Sequence, residues 1–446
     1  MQMSGRSRPF WKPVLTLCAL FFVLVGGLIV GGSENGSEAY DQNHHHLVVI
    51  RQASEVIAGS PGAPTMADLL RDYPSATSPG YHLLLATVRA AGVEDVTLLR
   101  AVSSLFGLAL ALTLWWGLQQ RVDGWTALAL TVPLLVSPYF LSGSIWLTTD
   151  VAAAWCVTVA IVLMLRGAET VARMLLVGLA MTAAVAVRQP SIWLLGPLCI
   201  AATIDSRRGW PRSQWLAWCA ALLAPAAVLA GLVALWGGLV PPDFQAQHNR
   251  GANLATPGIF LALCGVVAAP WLLAIFVRRA PASRESQRGA LIGAMVGLGI
   301  AVAFASNFER ESGRWGGPIW EVIRALPAPM GRSIVVLVGA PLGGAALALL
   351  LARVFESGAR REGILLSGVL LSLLAALSAN SQSFERYIDL PLLVIIPLAL
   401  VAATGATSQA AASSLRRGAV GAAAIQLALS AVMVYAPALQ PVAPPP

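Results

Sequence analysis

Blocks of mostly apolar residues, each close to the length of a membrane-crossing helix, recur along this 446-residue chain. A helix needs about 20 such residues to cross the hydrocarbon of a bilayer. Thirteen blocks come near that length: 14–30, 98–118, 125–141, 148–165, 173–187, 191–204, 215–236, 258–277, 289–306, 333–352, 363–379, 390–404 and 419–436. Charged residues make up only 11% of the chain and hydrophobic ones 57%, against about 25% charged in a soluble domain. The expected fold class is all-α, a polytopic transmembrane helical bundle of about 13 spans forming one membrane domain over 1–446. No fixed-period repeat is visible, which gives no support to inverted-repeat architecture. The first block follows Arg6, Arg8 and Lys12 and lacks a clear small-x-small cleavage site, so it is read as an uncleaved anchor.

Charge then assigns the sides. With the N-terminus in the cytoplasm, the inner set of basic residues is Arg6, Arg8, Lys12, Arg121, Arg166, Arg173, Arg207, Arg208, Arg212, Arg278, Arg279, Arg284, Arg288, Arg353, Arg360, Arg361, Arg416 and Arg417, the larger part of the 29 Lys and Arg. Short inner loops rich in arginine are the pattern that governs insertion. The net charge of +8 does not indicate nucleic acid, because Lys12 is the only lysine and the basic residues form no tract. The long loops 31–97, 237–257, 307–332 and 380–389 all fall outside, as do the five histidines, so the polar chemistry is expected on the non-cytosolic face. Within the first outer loop, 41–58 and 64–72 are expected to form short interfacial helices. The apolar stretch 79–91 is too short to span and is expected to be re-entrant or interface-bound. The cysteines Cys18, Cys156, Cys199, Cys219 and Cys264 lie inside apolar blocks with no metal-binding spacing and read as small core residues.

Several outer motifs carry candidate chemistry. Tyr40-Asp41-Gln42-Asn43-His44-His45-His46 follows the first block. On a helix Asp41 and His45 share a face at i, i+4, a carboxylate and an imidazole suited to activating a hydroxyl by general base catalysis. The same residues also suit a solvated helix terminus. Three consecutive histidines do not suit one metal ion, since neighbours on a helix point about 100° apart. The segment Tyr73 to His82 is turn chemistry that leads into the short apolar stretch. Thr148-Thr149-Asp150 opens the fourth block, where an Asp serves equally as a helix-terminal residue. Arg188-Gln189-Pro190 puts a cation between two short blocks, where it is a functional candidate by default or a structural partner of Asp150. Asp243 and His248 share the loop after the seventh block. Glu385-Arg386-Tyr387 precedes the twelfth, where a guanidinium fork suits a lipid-linked phosphate and a tyrosine suits the headgroup level.

Taken in order, these motifs resemble the GT-C class of polytopic glycosyltransferases, and most nearly its dolichyl-phosphate-glucose-dependent α-1,2-glucosyltransferase family. Tyr40, Asp41 and His45 match the family's segment after the first span, with Gln42 in place of a second acid. Asp72 through Tyr81, Thr149-Asp150 and Arg188-Gln189 are similar to its later motifs. Asp243 and His248 match in part, with Pro242 in place of a glycine, and Glu385, Arg386 and Tyr387 match loosely.

The resemblance implies a GT-C-like fold and an inverting transfer of a glucose-like hexose. The donor would be a polyprenyl-phosphate sugar, and the acceptor a glycan or lipid-linked glycan at the non-cytosolic face. Asp41 would be general base with His45 beside it. Arg386, Arg188, Gln189, Asp150, His248, Tyr387, Glu385 and Asp243 would contact the donor phosphate or the substrates. It implies no cofactor and no essential metal, and as partners the donor, the acceptor and membrane lipid, without nucleic acid. The membrane would be the plasma or inner membrane in a bacterium and the endoplasmic reticulum in a eukaryote. Two other classes stay open on the residues alone: a transporter or flippase of a lipid-linked or anionic solute, and a non-catalytic scaffold of a surface-polymer assembly complex.

Overall fold

A computed structural model describes residues 11–31, 37–167, 170–207, 209–248, 251–276, 283–306, 315–380, 382–404 and 409–436. Arg6, Arg8, Arg208, Arg278 and Arg279 of the expected inner set lie outside them, as does the Pro-rich tail 437–446. The protein is a helical integral membrane protein. Among the described residues nine helices are long and apolar enough to cross a membrane. They differ in place within the bundle. In Arg386–Thr404, 78% of the apolar window is buried, so this helix is the central post. Arg212–Trp236 and Arg284–Ala303 are 17% buried and turn most of their surface outward, as helices facing lipid do.

Four of the thirteen expected spans depart from a plain crossing helix. The block 125–141 is two helices, Gly124–Leu135 and Pro138–Ile145, bent by 74°. Pro138 has no N–H to continue the ladder and its ring clashes with the preceding turn. The break frees the Val136 carbonyl, which accepts a hydrogen bond from the Ser430 hydroxyl at 2.6 Å. Asp150–Leu165 and Val171–Val187 have 16 and 17 residues, about 24–26 Å at 1.5 Å per residue. The block 191–204 starts as a 3-10 turn, Gln189–Leu194, and continues as Leu195–Ser206.

The first outer loop is helical over much of its length. Helix runs without a break from Ser37 to Ala58, with a π turn over Gln42–His46, and ends at Gly59 in the left-handed region, φ 67°. A second short helix, Met66–Arg71, is capped by Thr65, whose hydroxyl oxygen accepts from the Asp68 N–H. The apolar stretch forms a third, Gly80–Ala90, packed on Leu47–Ala58. Leu47, Ile50, Ala53, Tyr81, Leu85 and Leu99 make a separate apolar core under this loop.

Polar contacts between distant segments collect at two ends of the bundle. At one end Arg121 pairs with Glu362, Arg361 with Asp205, and the Ser286 hydroxyl donates to Glu356 at 2.5 Å. These all belong to loops that the charge pattern puts inside. At the other end Gln189 reaches Ala76 and Leu239, Trp236 reaches Leu70, and Trp315–Gly316 pairs in parallel with Ser383–Phe384, all from loops assigned outside.

The end that carries Glu362 and Asp205 has a demanding pair. Arg361 donates to both Asp205 oxygens at 2.7 Å, and to the carbonyls of Leu165 and Met164 at 3.1 and 2.9 Å. Asp205 is buried. Arg361→Met removes the cation that faces both oxygens of that buried carboxylate and should destabilise the fold by about 3 kcal/mol, whereas adding Asp205→Leu should recover most of the loss. Thermal unfolding in detergent checks both, and an unchanged midpoint for the single variant would mean that the pair contributes nothing.

Candidate active site

Four charged side chains from four parts of the chain meet at the end that carries the Gln189 and Trp236 contacts. Asp41 lies in the helix of the first outer loop, Asp150 in the first turn of Asp150–Leu165, Arg188 just after Val171–Val187, and Arg386 at the start of the central helix. Arg188 is ion-paired with Asp150. Arg386 stands between the acids, with Nη1 3.8 Å from Asp41 Oδ2 and Nε 3.9 Å from Asp150 Oδ2. Tyr387 underlies both cations, its ring 4.5 Å from Arg188 Cζ and 5.3 Å from Arg386 Cζ, within cation–π range.

Two carboxylates and two guanidiniums give the cluster no net charge. The contacts of Arg386 with the two acids are long, and among the described residues its buried Nε–H has no hydrogen-bond partner. A buried donor without an acceptor is costly, and an anionic oxygen would satisfy it. That Nε–H faces Asp150 and Nη1 faces Asp41, so a phosphate on Arg386 competes with both carboxylates.

Comparison with known proteins adds little. No protein-family model matches the chain, and no curated protein matches it. Solved structures that resemble it include ArnT from Cupriavidus metallidurans in the apo state, at 13% identity and a TM-score of 0.38, over 92% of this chain and 76% of that one. The same protein bound to undecaprenyl phosphate gives 14% identity and 0.38, over 92% and 77%. At these values the likeness bears no weight for the site, whose reading rests on its own side chains.

The remaining sequence candidates are placed as follows. Gln42 is fully buried; its Oε1 accepts from the Leu147 N–H at 3.1 Å. The position that resembles a second acid is thus a strut fixing the segment just ahead of Asp150. Gln189 is another strut, donating to the carbonyls of Ala76 and Leu239, both at 3.2 Å. Glu385 is buried away from the ion cluster. It accepts from the Trp320 N–H at 2.7 Å and the Tyr139 hydroxyl at 2.9 Å, and burial pushes its carboxyl up to about 7. Asp243 is exposed on the short helix Pro242–His248, which also carries the half-buried His248. His45 is exposed, though it acts on Asp41 electrostatically. His44 stacks on Tyr40 with ring centres 4.0 Å apart.

A different histidine of the same motif, His46, faces His82. In an ordinary helix Asp41 shares a face with His45, four residues on. The π turn over Gln42–His46, closed by the Leu47 N–H on the Gln42 carbonyl, inserts one residue per turn, and π turns frequently mark functional sites. His46 takes the inward position instead. Its Nδ1 lies 2.8 Å from His82 Nε2, and His82 Nδ1 lies 2.5 Å from the Tyr73 hydroxyl. Only the doublet of candidate motifs, Tyr40–His46 and Tyr73–His82, hinted at this meeting.

The Asp41 carboxyl is shifted above its ordinary value, because burial outweighs the attraction of Arg386. A base works only when ionised. If Asp41 is the base, activity falls as pH drops through its folded value, and the acid limb of kcat/KM lies above the ordinary carboxylate range near 4. A pH–rate profile checks this, and a limb at or below that range would contradict the assignment.

Proposed function

We propose that the protein is a polyprenyl-phosphate-sugar-dependent glycosyltransferase that works at the non-cytosolic face. The observation that supports it is the convergence of Asp41, Asp150, Arg188 and Arg386 in one net-neutral cluster beside the central helix. The donor is a sugar on a polyprenyl phosphate, glucose-like by the motif resemblance, and the acceptor is a hydroxyl of a glycan or lipid-linked glycan.

The chemistry follows from the side chains. The donor phosphate takes Arg386, and that frees Asp41. Asp41 accepts the proton of the acceptor hydroxyl, the acceptor oxygen attacks the anomeric carbon, and the bond from that carbon to the phosphate oxygen breaks with inversion. Polyprenyl phosphate leaves with one more negative charge than it carried as a diester. Arg386 and Arg188 face that growing charge, where preorganised donors stabilise a transition state most. Asp150 holds Arg188 in place, and Tyr387 supports both cations.

Reconstitution tests the reading. Liposomes that contain the protein, a polyprenyl-phosphate hexose and lipid-linked acceptors should release polyprenyl phosphate and form an inverted glycoside. Movement of the lipid across the bilayer with no sugar transfer would overturn it in favour of a flippase.

A further inference from the structure

The chain Tyr73–His82–His46 behind the cluster has a direction that its chemistry fixes. Tyr73 and His82 are buried. The Tyr73 hydroxyl has His82 Nδ1, at 2.5 Å, as its hydrogen-bond partner among the described residues. A buried hydroxyl that only accepted there would leave its own proton unpaired, which is expensive, so Tyr73 donates. A neutral imidazole has one donor and one acceptor nitrogen. His82 then accepts at Nδ1 and carries its proton on Nε2, which donates to His46 Nδ1 at 2.8 Å. His46 is left with its proton on Nε2, at the far edge of the ring. Both rings are held neutral: burial pushes His82 down to about 3, and burial together with His82, Arg386 and Arg188 keeps His46 well below its ordinary value. The chain places this edge beside the cluster: Asp41 leads into the π turn that ends at His46, and Gly80, two residues before His82, packs against the Ala186 carbonyl, two residues before Arg188. Among the described residues no protein group takes its Nε2–H.

We propose that His46 is a binding residue of the site, a neutral N–H donor to the phosphate oxygens of the bound lipid, with its tautomer set by Tyr73 through His82. This rests on the glycosyltransferase reading. The donor would add a directed hydrogen bond without a third positive charge. That matters because the product phosphate must leave again, and a third cation would hold it.

Two measurements on the full-length protein in nanodiscs test it. In the first, ¹⁵N-histidine solid-state NMR reads the tautomers. Wild type should show His46 and His82 neutral with the proton on Nε2, and Tyr73→Phe should make His46 a mixture of tautomers. A His46 protonated on Nδ1 or on both nitrogens, or one indifferent to Tyr73→Phe, overturns the proposal. In the second, a short-chain polyprenyl phosphate is titrated into wild type, His46→Leu and His46→Gln. His46→Leu should bind about tenfold more weakly, as expected for a lost hydrogen bond to a charged group. His46→Gln, which keeps an amide donor, should recover part of the loss. Wild type that binds and His46→Leu that binds equally well removes His46 and leaves the glycosyltransferase reading standing. Wild type that does not bind the lipid phosphate removes both.

Discussion

Asp41→Asn should lower the turnover for sugar transfer by about 10²–10⁴-fold, the usual contribution of a positioned general base, with the fold intact. Asp41 is part-exposed and its contact with Arg386 is 3.8 Å long, so loss of the pair costs about 0–1 kcal/mol of stability. Donor binding should hold or tighten by a few fold, because Asn no longer competes with the phosphate for Arg386. The decisive reading is thus a split: turnover collapses while affinity for polyprenyl phosphate does not. Parallel loss of both would place Asp41 in lipid binding instead of proton transfer.

Arg386→Met should have the second largest effect, about 10²–10³-fold on turnover, the range seen when one preorganised charge stabiliser is removed. Its signature differs from that of Asp41→Asn, since donor affinity falls too. Asp41 and Asp150 lose the cation between them, so the Asp41 carboxyl should rise further and carry the acid limb of the pH profile up with it. Arg386→Lys should fall between the two enzymes, because an ammonium keeps the charge but not the fork that meets two phosphate oxygens. Separate kcat and KM values for the three proteins test this. A methionine variant with wild-type turnover would rule out Arg386 as the group that faces the leaving phosphate.

Much of the membrane layout was legible in the sequence, because apolar length and arginine-bearing loops act locally. Each of the thirteen blocks is helical, and the short helices of the first outer loop lie where the chain was expected to form them. The bend in the third block is not legible from apolar length, since hydropathy does not register direction. The four charged residues of the cluster each sit in a motif that is visible in the sequence. Their meeting was not legible: Asp41 and Arg386 are brought together by tertiary packing, which leaves no local pattern. Gln42, Gln189 and Glu385 carried motif resemblance, yet they spend their polar atoms on backbone groups and neighbouring side chains of distant segments. His46 meets His82 because of a single inserted residue in one turn of helix, a feature of hydrogen bonding that residue types do not encode.

Glu385 and Arg386 are consecutive, and they grip different parts of the molecule. The first holds the start of Pro318–Ala325 through the Trp320 N–H, and the second holds Asp41 of the first outer loop. Against Glu385 sits Gly317, at φ 133°, where any added Cβ would collide with the Glu385 carboxyl and the Tyr139 hydroxyl. One peptide unit is therefore the linchpin between two surface loops that are remote in sequence. Damage at Gly317, though it touches no charged partner of the cluster, would be transmitted along the backbone to the guanidinium next door.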